Sequence, residues 1–258
     1  MIDQLSYPLI SLAGITRQLI AIKPICNKMD AFLTEATVNQ FEKELQGFQS
    51  EIQFQDVSFG YGEQPPVLSN FSFTIKKGMR YLIQGPSGCG KTTTVNLLLR
   101  YYDVNKGKIL VDGNTITDFS STYGCITVVR QEAILFHDTL RNNLTMYHDI
   151  AEERLLQVLK DVGLEKLANV NALDALVEAG GGNFSGGEKK RICLARALLR
   201  DTDMLILDEP LANLDVTTAE RIEDLLLSIE NKTLLVVSHQ FSPEKLSAFD
   251  TVVDFSAY

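Results

Sequence analysis

Residues 85–92 read GPSGCGKT, and this octet constrains the fold more than any other stretch of the chain. It matches G-x-x-x-x-G-K-[ST] and stands between two segments of different character. RYLIQ (80–84) is short and apolar and reads as a buried strand; TTTVNLLLRYY (92–102) reads as a helix. In a strand–loop–helix unit, Gly85, Gly88 and Gly90 let the backbone curl so that several N–H groups point inward at phosphate oxygens. The helix opening near Lys91 adds the positive end of its dipole. Lys91 is expected to place an ammonium on the outer phosphates, and the Thr92 hydroxyl to ligate Mg²⁺.

The rest of the chain supplies a context for such a loop. EIQFQ (51–55) alternates, with Ile52 and Phe54 on one face, and FSFTI (71–75) repeats the pattern before a Lys77-Gly78 turn. GKILVDGNTI (107–116) is a strand broken by the turn pair Asp112-Gly113, and further strands fall at 127–129, 204–207 and 234–237. Between 137 and 174 the pattern turns helical, with Leu155, Leu159 and Val162 on one face. Strands first, a helical insert, then alternating strand and helix predict an α/β fold with an added helical lobe.

The 258 residues carry a net charge of −9, the wrong sign for a non-specific nucleic-acid binder, so no nucleic-acid partner is expected. Cys26, Cys89, Cys125 and Cys193 are scattered, without metal-ligand spacing, which indicates a reducing, cytoplasmic compartment.

Two further motifs carry chemistry. MLILDEP (204–210) is a buried strand delivering two carboxylates at its end. Asp208 is placed to hold the Mg²⁺ shell, and Glu209 to accept a proton from an attacking water. Pro210 is expected to keep Glu209 extended beyond the strand. An acidic turn without function has the same text, but beside a phosphate loop the chemical reading is favoured. NFSGGEKKRICLARALL (183–199) opens with a capping box, Ser185-x-x-Glu188. That is a good helix start whatever its job. Gly186 and Gly187 in the first turn also leave amides open to an anion, with Lys189, Lys190 and Arg191 adding local positive charge.

With GPSGCGKT, FSGGEKKR and MLILDEP in that order, the chain resembles an ABC ATPase, the nucleotide-binding domain of ATP-binding cassette transporters, over about residues 50–255. The resemblance implies an α/β fold. Its parts are a P-loop NTPase (RecA-like) core, an antiparallel β-subdomain and an inserted α-helical subdomain at about 137–186. The implied cofactors are ATP and Mg²⁺. Tyr61, in FGYG, matches the aromatic that stacks on adenine. Gly85, Pro86, Ser87, Gly88, Cys89, Gly90, Lys91, Thr92 and Thr93 match the phosphate-binding stretch. Gln131 matches a glutamine reaching the Mg²⁺ and water, so the implied metal set is Thr92, Gln131 and Asp208. The implied catalytic set is Glu209, Gln131 and His239, the last matching a switch histidine on the γ-phosphate.

The family implies a head-to-tail dimer of ATPase domains, identical or different. In it Ser185, Gly186, Gly187, Glu188 and Asp215 of one copy close over the nucleotide of the other. Two departures stand out: Glu188 replaces the commoner Gln, and LDEPLANLD replaces the LDEATSALD usual in exporters. Residues 1–49 resemble the cytoplasmic end of a membrane helix plus a linker. That implies a transmembrane-domain partner and a place on the cytoplasmic face of the cell membrane. An ordinary N-terminal helix packed on its own domain is the alternative for this segment. For the whole chain the alternatives are a separate importer subunit, a soluble ABC ATPase, or a nucleotide-binding module without turnover.

Overall fold

The structure, a computed structural model, describes residues 44–255 apart from 63, 87 and 120. The membrane-helix reading of the N-terminal segment and the expectation for Ser87 therefore lie outside the described residues.

Among the described residues, nine strands form two sheets. They are β1 (Glu51–Phe59), β2 (Leu68–Lys76), β3 (Arg80–Gln84), β4 (Lys106–Val111), β5 (Asn114–Thr115), β6 (Ile126–Val129), β7 (Met204–Asp208), β8 (Thr233–Val237) and β9 (Thr251–Asp254). The first sheet is antiparallel in the order β2-β1-β4-β5, and the second is parallel in the order β6-β7-β8-β3-β9. Parallel neighbours need long crossovers. These contain α1 (Lys91–Leu98), α2 (Leu140–Thr145), α3 (Glu152–Asp161), α4 (Val170–Leu173), α5 (Gly186–Leu199) and α6 (Val216–Leu227). The helices α2, α3 and α4 are the expected insert, lying between β6 and α5.

The parallel strands are apolar on both faces because each face meets a different core. Tyr81 and Ile83 of β3 face one core with Ile206, Leu235 and Val237, and that core fills the space under the antiparallel sheet. Leu82 points the other way, with Leu205, Leu207, Leu234 and Val236, into a core shared with α3 and α5. The period-2 geometry of a strand thus splits one hydrophobic run between two cores.

Two expectations change. The helix after the phosphate loop ends at Leu98 rather than 102, because Arg100 adopts a left-handed backbone (φ 58°). The polar stretch before β1 is not a free linker over 44–49: Leu45 and Phe48 are buried in the first core. The Phe48 amide donates to Asp203 Oδ2 at 3.0 Å, and the Gln49 and Ser50 amides donate to the Asp112 carboxylate. The strand β9 and the helix α6 carry no motif that marked them in the sequence. Among the described residues, no helix is long and apolar enough to cross a membrane.

Candidate functional site

The carboxyl ends of β3, β6, β7 and β8 open on one cleft of about 820 Å³. Its lining includes Tyr61, Gly85, Pro86, Gly88, Gly90, Lys91, Thr92, Thr93, Gln131, Asp208, Glu209 and His239. Residues far apart in the chain meet here because parallel strands all present their ends on the same side.

The phosphate loop leaves β3 and enters α1 through two positive-φ positions that are also crowded for a side chain. Gly85 has φ 141°, and a Cβ there would stand 3.0 Å from Cys89 Sγ; Gly90 has φ 103°, and a Cβ there would stand 2.7 Å from Leu68 Cδ2. Lys91 Nζ donates to the carbonyls of Gly85 and Pro86, each at 2.7 Å, which holds the ammonium over the mouth of the loop. Cys89 does not line the cleft; its sulfur lies 3.6 Å from Lys91 Nζ and its side chain packs against the core below.

Tyr61 stands at the rim. Its ring meets those of Phe59 and Tyr102 edge-on, at 5.0 and 5.2 Å, and its hydroxyl lies 3.2 Å from Thr93 Oγ1. Two aromatic contacts and one polar contact fix the ring beside the phosphate loop.

The acid pair closes the other wall. Asp208 is buried at the end of β7. Burial, then the charge of Glu209, holds its carboxyl above the usual carboxylate range, against the pull of Arg130, Lys91 and a hydrogen bond with the Thr92 side chain. Glu209 is not extended as Pro210 suggested, but left-handed, with φ 50°. Three bonds to its backbone set this turn: the Glu209 amide donates to the Val237 carbonyl at 2.8 Å, and the Glu209 carbonyl accepts from Lys190 Nζ at 2.8 Å and from the Ala212 amide at 3.3 Å. Its Oε1 accepts from His239 Nδ1 at 2.8 Å, while Oε2 is buried and without a partner. His239 itself is 61% exposed, so the imidazole can meet both the carboxylate and a ligand in the cleft.

The residues around the SGGE helix start lie elsewhere. Ser185, Gly186, Gly187 and Glu188 do not line this cleft, nor does Asp215. The capping box is formed at α5: Ser185 Oγ accepts from the Glu188 amide, and Glu188 Oε2 accepts from the Ser185 amide and hydroxyl. Those bonds hold the Glu188 carboxyl below its usual range. Asp215 caps α6, accepting from the Thr218 amide at 3.0 Å.

The sequence reading gave Lys190 to a local positive patch, and the structure corrects this. Lys190 is 7% exposed, and its ammonium donates to the carbonyls of Glu209 and Ala212 at 2.8 and 3.0 Å. Burial pushes its pKa down, opposed by the Glu209 and Asp208 charges. A signal existed: Lys190, Leu194 and Ala197 recur at helical spacing on the buried stripe of α5. Arg191 is similarly spent on carbonyls, those of Gly187 and Gly163.

The donor set suits a hard cation. Among the described residues no group of three or more His, Cys, Asp or Glu side chains could hold a metal alone. The Thr92 hydroxyl and the Asp208 carboxylate are oxygen donors, and the Gln131 side chain adds a third on the same cleft. Mg²⁺ is ordinarily bound by one or two protein oxygens with nucleotide phosphates and water completing its shell, so the residues fit.

The family model described as ABC transporter matches residues 68–212. An ATP-dependent lipid A-core flippase of Mannheimia succiniciproducens is 34% identical over 246 residues, 91% of this chain and 42% of the flippase. An ABC multidrug transporter, mdr1, of Aspergillus fumigatus is 36% identical over 210 residues, 78% of this chain and 16% of its own. Among solved structures, a bacterial Atm1-family ABC exporter with ATP bound matches with a TM-score of 0.81 at 26% identity, over 98% of this chain and 46% of that one. The chain thus spans less than half the length of these relatives.

Proposed function

The chain belongs to the ABC transporter family as an exporter-type ATPase domain, and we propose that its cleft binds Mg-ATP and hydrolyses it to drive transport through a membrane partner. The observation that carries this reading is the Glu209–His239 pair facing Lys91, Thr92 and Asp208 across one cleft.

The division of labour follows from position. Tyr61 offers its ring to the adenine, and the loop amides with Lys91 hold the β- and γ-phosphates. Thr92, Asp208 and Gln131 would hold Mg²⁺, which neutralises charge on the transferred phosphoryl group when bound. Glu209 lines the cleft opposite the phosphate loop and takes the proton of the attacking water. His239 donates to Glu209 through Nδ1, which fixes the tautomer and leaves Nε2 to turn toward the γ-phosphate.

Ser185, Gly186, Gly187, Glu188 and Asp215 do not line the cleft of their own chain; they serve the nucleotide of a second ATPase domain in a head-to-tail dimer. Closure then depends on ATP, since only the closed state offers it both sets of contacts. The transmembrane partner docks in a second groove of about 380 Å³ lined by Tyr123, Arg130, Ile134 and Phe136, where Ile134 and Phe136 are more than half or half exposed, at 62% and 50%. Export rather than import is favoured by two of the named relatives, a lipid A-core flippase and an Atm1-family exporter. The domain then works on the cytoplasmic face of a membrane.

The test is Glu209→Gln in the full chain. The amide keeps the shape of the carboxylate but cannot take the proton, so turnover falls by about 10²–10⁴-fold while ATP binding survives. Size-exclusion chromatography with Mg-ATP should show a dimer that ADP does not support. Near-normal hydrolysis by this variant would overturn the assignment of the base.

A further inference from the structure

Arg130 lines the second groove, and the roles assigned above give it no task in hydrolysis. In the β6–β7 register Val129 pairs with Leu207, so Arg130 follows beside Asp208 and directly precedes Gln131. Its Nη1 donates to Asn96 Oδ1 of α1 at 2.8 Å, and its Cζ stands 5.1 Å from the centroid of the Tyr101 ring. That ring is itself tied down: the Tyr101 amide donates to the Asn96 carbonyl at 3.0 Å, and its hydroxyl is hydrogen-bonded to that of Tyr123. Asn96 belongs to the same short helix as Lys91 and Thr92. One guanidinium therefore joins the helix behind the phosphate loop to the root of the Gln131 segment. The same side chain also lines the groove beside Tyr123, Ile134 and Phe136.

We propose that Arg130 is a positioning residue for ATP hydrolysis: it clamps the root of the Gln131 segment to α1, so that Gln131 enters the cleft in fixed register with Lys91 and Thr92. The inference rests on the ATPase reading above. A guanidinium suits the task where an ammonium would not, because its planar fork makes the directed bond to Asn96 while its face lies on Tyr101. Gln131 is itself exposed, and among the described residues no backbone bond from its amide holds it, so its placement depends on what holds its neighbour. A segment seated in the groove would touch the clamp directly.

Four variants of the full chain test this: Arg130→Leu, Arg130→Lys, Asn96→Ala, and the double variant Asn96→Ala/Arg130→Leu. Backbone ¹⁵N relaxation reads the positioning without needing turnover. The order parameter at Gln131 should be near 0.8 in the wild type and fall below about 0.6 in Arg130→Leu, with α1 and β7 unchanged. In steady-state kinetics Arg130→Leu should lower kcat by about tenfold or more with KM for Mg-ATP within about twofold, the pattern of a displaced group rather than a lost binding contact. Arg130→Lys should recover less than half of the lost rate. The double variant should be no slower than Arg130→Leu alone, because both changes open one clamp. An unchanged order parameter at Gln131, full rescue by lysine, or additive losses in the double variant would each overturn the proposal. A wild-type chain without ATP turnover would refute the ATPase reading instead, and the relaxation comparison would still decide the role of Arg130.

Discussion

Replacing Lys190 with Met separates the buried clamp from the surface charge that the sequence suggested. Methionine keeps most of the apolar stem but removes the ammonium that donates to the carbonyls of Glu209 and Ala212. Hydrogen bonds from a charged donor contribute about 1.5–3 kcal/mol each, so the gross loss is roughly 3–6 kcal/mol. Part returns, because the variant no longer buries an ammonium, a cost on the order of a few kcal/mol. The Glu209 carbonyl also keeps the Ala212 amide at 3.3 Å. The net destabilisation should be about 2–3 kcal/mol, a fall in Tm of roughly 5–10 °C for a domain of this size. The larger effect is on turnover. Glu209 sits at φ 50°, a left-handed backbone that costs a non-glycine residue about 1–2 kcal/mol. The Lys190 bond is one of the three that hold it there. Once released, the carboxylate shifts, and a displacement on the order of 1 Å lowers kcat by about 10²-fold. KM should change little, since Lys91 and Tyr61 are untouched. Urea unfolding gives the stability and a phosphate-release assay the rate. A variant within about 0.5 kcal/mol of wild-type stability and threefold of its kcat would refute the clamp.

Tyr61→Ala should raise KM for ATP by roughly tenfold and leave kcat nearly unchanged, because stacking on a base is worth about 1–3 kcal/mol and the ring touches no reacting atom; an unchanged KM places the adenine elsewhere. The Asp208 carboxyl is held above its ordinary value by burial and by Glu209, so the folded state keeps a proton that the unfolded chain releases first. Stability from this group is full below the ordinary carboxylate value of 3.8 and is lost as pH rises through the raised one. Asp208→Asn should therefore have a higher Tm than wild type at pH 7.5 without nucleotide, with the gap closing at acid pH, while Mg-ATP hydrolysis is abolished. Equal Tm values at pH 7.5 would show that the carboxylate carries no such penalty.

The legible parts of the sequence were those with local causes. GPSGCGKT needs left-handed glycines and a helix start, and both are written in eight letters. The capping box at Ser185 and Glu188 is a four-residue rule, and it forms as expected. The strands β3, β7 and β8 were visible as apolar runs, although their division between two cores was not, because alternation disappears when both faces are buried. What escaped notice depends on distant partners. Lys190 looks solvent-facing in KKR until the Glu209 and Ala212 carbonyls arrive above it. The left-handed turn at Glu209 is set by Val237 and Lys190, not by Pro210. The helix end at Leu98 belongs to Arg100, whose guanidinium reaches the Phe119 carbonyl. Phe48 reads as part of a polar linker, yet it is fully buried because Asp203 and Lys77 secure its backbone.

The strand order β6-β7-β8-β3-β9 also governs when the cleft can exist. The strand β3 carries the phosphate loop, and its two neighbours come from near the end of the described chain: Leu82 pairs with Val236 on one side and Val252 on the other. Synthesis delivers Lys91 to solvent long before either neighbour is made. Until then β3 has no ladder on its flanks, and the acid pair and His239 that face the loop are still to come. Such non-local pairing is slow to form, and it completes the core and the nucleotide site in one step. Affinity for nucleotide therefore arises late and together with the finished fold. A ligand that binds only this state holds the newly completed domain folded by mass action.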